Sequence, residues 1–130
     1  MQDSILLVIK EKTLRRLYHG LLFQQGIEVI PLAKIEDALV MQTLNIVPMV
    51  VIYPEDMNEA DIRAFLQLQR SFPRFKDTSV VLLTSQGDIY DSIITPNSHI
   101  VNVGKLNPVE TINKIIYYYD DIIDPTTNTN

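Results

Sequence analysis

The stretch MVVIYPEDMNEAD, residues 49–61, decides the fold because two hydrophobic patterns meet in it. Met49 to Tyr53 is a short, continuous apolar run, which is typical of a parallel strand covered on both faces. An acidic loop follows, and the chain then returns to helical spacing. The positions with that spacing are Ile62, Phe65, Leu66 and Gln69. The stretch therefore predicts a buried strand, a polar loop and an amphipathic helix.

The same alternation runs along the whole chain. Strands are predicted at residues 5–9, 28–32, 49–53, 79–83 and 99–103, and Pro31 places the second strand at an edge of the sheet. Helical spacing is found at residues 14–23, 35–42 and 62–69, and after Asn107, where the stripe is Val109, Ile112, Ile116 and Tyr119. Residues 87–97 predict only one or two helical turns. Alternating strands and helices predict a three-layer α/β sandwich with a five-stranded parallel sheet and about five helices.

Composition narrows the functional classes. The chain has 130 residues, of which 46% are apolar and 21% charged, as expected of one globular domain. We expect that domain at residues 1–124, with a flexible tail at 125–130. A net charge of −5 argues against nucleic-acid binding, and the lack of cysteine excludes disulfides and thiolate sites. No signal peptide and no apolar run of about 20 residues is present, so we expect a cytoplasmic protein without membrane contact.

The sequence resembles the receiver domain of two-component response regulators, from about Ser4 to Tyr119. Residues 48–61 are similar to the receiver pattern P-D-L-V-L-L-D-x-x-M-P-x-x-D-G, and the matching positions are Pro48, Met57 and Asp61. Thr84 in SVVLLTS falls on the receiver threonine after the fourth strand, and GKLNPVE is similar to the ending K-P-F-N-P-E-E. The resemblance implies a flavodoxin-like, CheY-like sheet of order 2-1-3-4-5.

The same resemblance implies that the phosphorylation site has degenerated. Pro54 falls on the aspartate that accepts the phosphoryl group in receivers, and proline offers no nucleophile. Ile9 and Lys10 fall on the two acids that hold Mg²⁺, a cation that needs oxygen ligands. The receiver lysine aligns with Lys105 after a one-residue deletion, or with Gly104. We therefore expect a pseudo-receiver that is not an enzyme and takes no cofactor.

Acidic residues near these positions leave two interpretations open. Glu11 follows Lys10, and Glu55 and Asp56 follow Pro54. Lys10 either points to solvent, the interpretation we favour, or pairs with one of the two loop acids and locks the crevice. The acids themselves are interpreted as solvated rather than as a metal site.

The aromatic run IIYYYDDII, residues 115–123, is the candidate interaction surface. If Ile116 and Tyr119 pack inward, helical geometry turns Tyr117 and Tyr118 to other faces, and exposed aromatic side chains are favoured at interfaces. In receivers the fourth helix, fifth strand and fifth helix form the usual output and dimer face. We expect a protein partner in a signalling pathway, or a homodimer, at this face.

Three functions follow from the sequence. The first is a receiver-like signalling domain that is not phosphorylated and acts through protein–protein contacts. The second is a divergent but active response regulator that takes phosphate on Asp56. The third is a flavodoxin-like domain that senses a small molecule in the crevice at the carboxyl ends of the strands.

Overall fold

The computed structural model describes residues 3–124 and contains one five-stranded, all-parallel sheet. The strands are β1 (Ile5–Val8), β2 (Val29–Leu32), β3 (Met49–Ile52), β4 (Ser79–Leu83) and β5 (Ser98–Val101). Their order across the sheet is β2-β1-β3-β4-β5. The predicted sheet and its strand order are therefore confirmed.

Four α-helices connect the strands in the described part of the chain. They are α1 (Lys12–Gln24), α2 (Ile35–Leu44), α3 (Glu59–Ser71) and α4 (Pro108–Ile123), and 3₁₀ turns form at Pro54–Asp56, Pro73–Phe75 and Gly87–Tyr90. The connection between β4 and β5 contains only the last of these turns. The prediction of about five helices is therefore too high for the described chain, because residues 87–97 form only this short turn and no α-helix.

The central strands are buried on both faces. Every residue of β1 and β3 has no exposed surface, as expected of parallel strands sandwiched between helices. Residues of β1 alternate between two apolar clusters: Ile5 and Leu7 pack toward α1 and α4, and Leu6 and Val8 pack toward α2 and α3. Pro31 lies in β2 at the edge of the sheet, where its missing N–H leaves no ladder bond unmade.

Three of the four helices begin at a residue whose own side chain caps them. Glu11, Asn58 and Asn107 accept hydrogen bonds from backbone N–H groups of α1, α3 and α4, and Asn107 forms a capping box with Glu110. Gly26, with φ +79°, ends the turn after α1 in the left-handed region that favours glycine. The start of the last helix after Asn107 is therefore confirmed.

The predicted stripe of the last helix is wrong in part. Ile112 and Tyr119 are buried, but Val109 is 58% exposed and Ile116 is only partly buried. Thr111 and Ile115 are buried instead. The helix thus turns by about one residue relative to the prediction, and the Thr111 hydroxyl is satisfied by donating to the carbonyl of Asn107.

Helices α2 and α3 are joined by a pair of buried amides. Gln42 and Gln69 donate to each other's side-chain oxygen, at 2.8 Å in both directions. Such reciprocal bonding satisfies both groups where water cannot reach. Within residues 3–124, no helix is both long and apolar enough to cross a bilayer, and the predicted tail at 125–130 lies outside the described residues.

Candidate functional site

The crevice at the carboxyl ends of the strands contains most of the sequence-predicted site residues. In doubly wound sheets ligands bind at this edge, where the strand order reverses, here between β1 and β3. Pro54 lies immediately beyond β3, is buried, and begins the 3₁₀ turn Pro54–Asp56. A rigid ring therefore fills the position that directly follows Tyr53 at the centre of this edge.

The end of β1 offers no free carboxylate to the crevice. Ile9 is fully buried in the apolar cluster beneath α1 and α4. The Glu11 carboxylate caps α1 by accepting from the N–H of Leu14 at 2.5 Å. Backbone hydrogen bonds from Leu14 and Thr13 lower the pKa of Glu11. Nη1 of the Arg15 guanidinium donates to the backbone carbonyls of Ile9 and Lys10, at 2.8 and 3.0 Å. A fixed cation therefore covers the end of the strand.

Glu55 makes the densest set of contacts at the site. Its Oε1 accepts from the hydroxyl of Thr84 at 2.8 Å, from the backbone N–H of Ser85 at 2.8 Å and from the hydroxyl of Ser85 at 3.2 Å. The Ser85 backbone bond, followed by the two hydroxyls, lowers the pKa of Glu55. The ionised carboxylate thus connects the loop after β3 to the loop after β4.

Thr84 is the buried centre of this arrangement, with 2% of its surface exposed. Its backbone N–H donates to the carbonyl of Val101 on β5, and its hydroxyl accepts from the N–H of Gln86 at 3.0 Å. Since the hydroxyl accepts on one side, its proton is directed to Glu55. The threonine that the resemblance singled out therefore contacts a carboxylate of its own chain.

Asp56 and Lys10 make no comparable contacts. Asp56 is exposed, and no hydrogen bond to its carboxylate occurs among the described residues. Lys10 is also exposed, and within residues 3–124 no ion pair joins it to Glu55 or Asp56. In the same range no group of three or more acidic, histidine or cysteine side chains is placed to hold a metal ion.

Lys105 lies on a different surface. It lines a groove of about 260 Å³ between β5 and α4, together with Ile100, Leu106, Lys114 and Tyr118. The alternative position, Gly104, has its backbone against the β4 loop: an added Cβ would lie 3.1 Å from the Cβ of Ser85. The Lys105 ammonium group therefore lies away from the Glu55 carboxylate, and Gly104 has no side chain that could reach it.

A cavity of about 530 Å³ opens beside the acidic loop. It lies between the ends of β1 and β2 and the start of α3, and it is lined by Lys10, Lys34, Ile35, Met57 and Asp61, among others. Its volume is within the range of small-molecule sites.

The candidate interaction residues lie on α4 and differ in exposure. Tyr117 is 61% exposed, whereas Tyr118 stacks on His99 of β5, with ring centroids 3.9 Å apart and planes 10° apart. Tyr117 meets Tyr118 edge to face, at 5.6 Å. Tyr118 thus covers the outer strand of the sheet, and Tyr117 presents its ring to the outside.

Two residues of the site were not predicted from the sequence. Ser85 contributes two of the three donors to Glu55, and Arg15 covers the end of β1. A hydroxyl residue next to Thr84 at the end of a strand was the available signal for Ser85. For Arg15 the signal was a cation in the first turn of the helix that follows β1.

Comparisons with known proteins identify the fold. The sequence matches no protein-family model and no curated protein. The structure, however, matches solved response regulators over nearly its full length, so the chain has the receiver fold. Vibrio cholerae chemotaxis response regulator CheY4 has a TM-score of 0.72 and 18% identity, and the match covers 92% of this chain and 99% of that one.

Two further structures show the same similarity. A response regulator from Hahella chejuensis has a TM-score of 0.73 and 12% identity, with 93% of this chain and 95% of that chain covered. The beryllofluoride-activated NtrC4 receiver domain dimer has a TM-score of 0.70 and 13% identity, with 92% and 98% covered. At these identities the similarity establishes the fold, and function must be argued from the site.

Proposed function

We propose that this chain is a receiver-like signalling domain that accepts no phosphoryl group and acts through protein–protein contacts. The observation that carries the proposal is the buried Pro54, which stands where the resemblance requires a nucleophilic carboxylate. The buried Ile9 and the capping role of Glu11 support it, because phosphoryl transfer depends on a metal ion held close to the acceptor. Glu55, the acid nearest to Pro54, already accepts three hydrogen bonds through one oxygen.

Incubation with acetyl phosphate and Mg²⁺, followed by intact-mass measurement, tests the first half of this proposal. We expect no phosphorylated species, while an active receiver treated in parallel gains one phosphoryl group. The alternative, phosphorylation of Asp56, predicts an adduct that is absent from Asp56→Asn. A stable adduct on the unmodified chain would reject the proposal.

The partner surface we propose is the outer face of β5 and α4. It combines the exposed ring of Tyr117 with the groove that contains Lys105 and Lys114. Aromatic side chains concentrate binding energy at interfaces. One protein with the same fold, the NtrC4 receiver domain, was solved as a dimer. Here the face lacks the receiver's fourth helix, so β5 and α4 form it with the connection that follows β4.

Light scattering after size exclusion tests this surface. Tyr117→Ser should reduce self-association or binding of a captured partner, and Tyr118→Ser should reduce it further, because the stack on His99 is also lost. Phe23→Ser is the matched control, since Phe23 is an aromatic residue on α1 with 70% exposure. Equal mass and equal partner binding in all three variants would reject this surface.

A second function, sensing of a small molecule, is supported by the cavity beside Lys10 and Lys34. Its volume of about 530 Å³ and its mixture of apolar and charged lining residues suit a small polar ligand. A ligand that prefers the folded state must raise the melting temperature. A metabolite screen by thermal shift tests this function: hits should be lost in Met57→Trp, which fills the cavity, and hits that persist there would reject it.

A further inference from the structure

Three hydrogen-bond donors converge on one point at the carboxyl end of β4. The Thr84 hydroxyl, the Ser85 N–H and the Ser85 hydroxyl all lie within 3.2 Å of the same oxygen, Oε1 of Glu55. Hydrogen bonds to an ionised acceptor are stronger than neutral ones, and a convergent set of donors is how proteins hold oxyanions. In this structure the three donors together hold one carboxylate oxygen.

Thr84 is held in place by contacts other than the one to Glu55. Only 2% of the surface of Thr84 is exposed, and its backbone N–H donates to the carbonyl of Val101 on the neighbouring strand. Its hydroxyl accepts from Gln86 N–H, which leaves Glu55 as the acceptor of its proton. Without an anion, this buried hydroxyl would lose the acceptor of its proton, and unsatisfied polar groups in such positions are costly.

The carboxylate comes from a distant part of the sequence. Glu55 is in the 3₁₀ turn that Pro54 begins, and Pro54 is buried, so the turn is anchored directly beside the site. Asp56, the next residue, is exposed and has no hydrogen bond to its carboxylate within the described chain. The contact therefore depends on one acid and cannot be attributed to the general charge of the loop.

We propose that Thr84 and Ser85 form an oxyanion-binding site whose resident ligand is the chain's own Glu55, and that this carboxylate holds the β4–β5 connection in one arrangement. The inference rests on the proposed function and deepens it, because it names what holds the crevice when no phosphoryl group is added. An intramolecular ligand acts at a high effective concentration. Small carboxylates and phosphate are therefore excluded from the site until Glu55 is removed.

The contacts at Thr84 continue into the 3₁₀ turn of the β4–β5 connection. Gln86, whose N–H is bonded to Thr84, directly precedes the 3₁₀ turn Gly87–Tyr90. Arg63 of α3 holds the same turn by donating to the carbonyl of Ile89 at 2.6 Å. The connection is thus fixed at its start by Glu55 and within the turn by Arg63.

Amide hydrogen exchange measured by NMR tests the inference. In Glu55→Ala the exchange of the Ser85 amide should rise at least tenfold, whereas the matched control Asp56→Ala should leave it unchanged. Sodium acetate or inorganic phosphate at tens of millimolar, with NaCl as the control at equal ionic strength, should restore protection in Glu55→Ala. Neither anion should change the Ser85 amide in the unmodified chain.

Several outcomes would overturn the inference. They are a Ser85 amide that is equally protected in Glu55→Ala, an equal rise in Asp56→Ala, and a failure of both anions to restore protection. If Glu55→Ala does not fold, Glu55→Gln replaces it: the charge is lost while an oxygen is kept, so a rise of at least threefold is expected, and an unchanged rate overturns the inference.

The result is separable from that of the phosphodonor experiment. A phosphorylated chain whose Ser85 amide responds as described would reject the proposed function and leave the oxyanion site in place. If the chain takes no phosphate and the exchange rate of the Ser85 amide is unchanged in Glu55→Ala, the oxyanion site is rejected and the proposed function is not.

Discussion

At the scale of single residues, the proposed function depends above all on which residue stands just beyond β3. Pro54 occupies the position after Tyr53, and the first acid is therefore Glu55, one residue further along the chain. The 3₁₀ turn places the carboxylate of that acid on the donors of Thr84 and Ser85. In the proposed function, Glu55 is therefore a structural ligand and not a nucleophile.

Gly20 offers a simple test of local stability. It lies inside α1, and a Cβ added there would meet nothing within 4 Å. Because glycine costs a helix interior up to about 1 kcal/mol relative to alanine, Gly20→Ala should raise the free energy of unfolding by about 0.5–1 kcal/mol. Urea denaturation with an unchanged m value measures this effect.

The matched control is the other glycine of the same region. Gly26 also has open space around it, but its φ of +79° is unfavourable for alanine. Gly26→Ala should therefore lower the free energy of unfolding by about 1 kcal/mol. If the two variants shifted stability in the same direction, the conformation assigned to one of these glycines would be wrong.

At the scale of secondary-structure elements, the β4–β5 connection differs from the other connections between described strands because it contains a 3₁₀ turn and no α-helix. Arg63 and Arg70 of α3 donate to the backbone carbonyls of Ile89 and Ser92. In an α-helix such carbonyls would accept from backbone N–H groups, and here the arginine side chains are the donors. The guanidinium of Arg63 also lies 5.8 Å from the ring centre of Tyr90. The short turn is therefore held by α3.

Close packing of this turn on β5 gives a second prediction. A Cβ added to Gly87 would lie 2.4 Å from Cγ2 and 3.2 Å from Cδ1 of Ile100, so that the Ile100 side chain or the turn would have to shift. Gly87→Ala should destabilise the domain by about 1–3 kcal/mol, as overpacking does. In an Ile100→Ala background the same change should cost less than half as much. Equal costs in both backgrounds, compared in a double-mutant cycle, would show that the clash is not with Ile100.

His99 on β5 gives a third prediction, which concerns pH. Burial lowers the pKa of His99 below 6.5, and the charge of Asp121 partly opposes this. A lowered histidine pKa means that the unfolded chain binds the proton more readily. Stability should therefore be fully present above about pH 6.5 and fall as the pH drops toward the folded pKa, by less than about 1.4 kcal/mol per pH unit.

The matched variants separate His99 from other titrating groups. His99→Phe keeps an aromatic ring on Tyr118 and should remove this part of the pH dependence. Asp121→Asn should extend it to lower pH, because the opposing charge is lost. A slope below pH 6.5 that is identical in the original chain and His99→Phe would exclude His99 as its source.

The sequence predicted most elements because their patterns are local. β4 was predicted with its observed bounds, and all four positions at helical spacing predicted for α3 are buried. The last helix was harder, because Val109 and Ile115 are equally apolar and only packing against the sheet decides which of them is buried. At the site, Pro54 and Thr84 were identified, but the bonds between Glu55 and Ser85 join residues 30 positions apart and have no local signature.

At the scale of the whole molecule, the fold places its chemistry at one end of the sheet. Parallel strands bring the ends of β1, β3 and β4 to one edge, where Arg15, Pro54 and Thr84 lie. The partner surface we propose is on the side, along β5 and α4. The Ser85 N–H donates to Glu55 and the Thr84 N–H donates to Val101 of β5, so the crevice adjoins the strand that borders the proposed partner surface.

The acid stability of the whole domain gives the last prediction. The pKa of Glu11, Glu28 and Glu55 is lowered below 4.5 by hydrogen bonds from, respectively, the backbone of Leu14, the hydroxyl of Ser4 and the backbone of Ser85. Carboxyl groups whose folded pKa is lowered stabilise the fold above the unfolded value. That stability should be lost as the pH falls below about 4.5 and through the folded pKa values.

Two substitutions, one of Glu55 itself and one of the Ser4 that bonds Glu28, should each reduce the acid dependence of stability without abolishing it. The free energy of unfolding, measured by urea denaturation between pH 3 and pH 7, should fall less steeply below pH 4.5 in Glu55→Gln and in Ser4→Ala than in the original chain. Asp56→Asn is the control, because no hydrogen bond to the Asp56 carboxylate is formed within residues 3–124. Acid dependence reduced as much in this control as in Glu55→Gln would mean that loop charge, rather than the bonds to Thr84 and Ser85, stabilises the crevice.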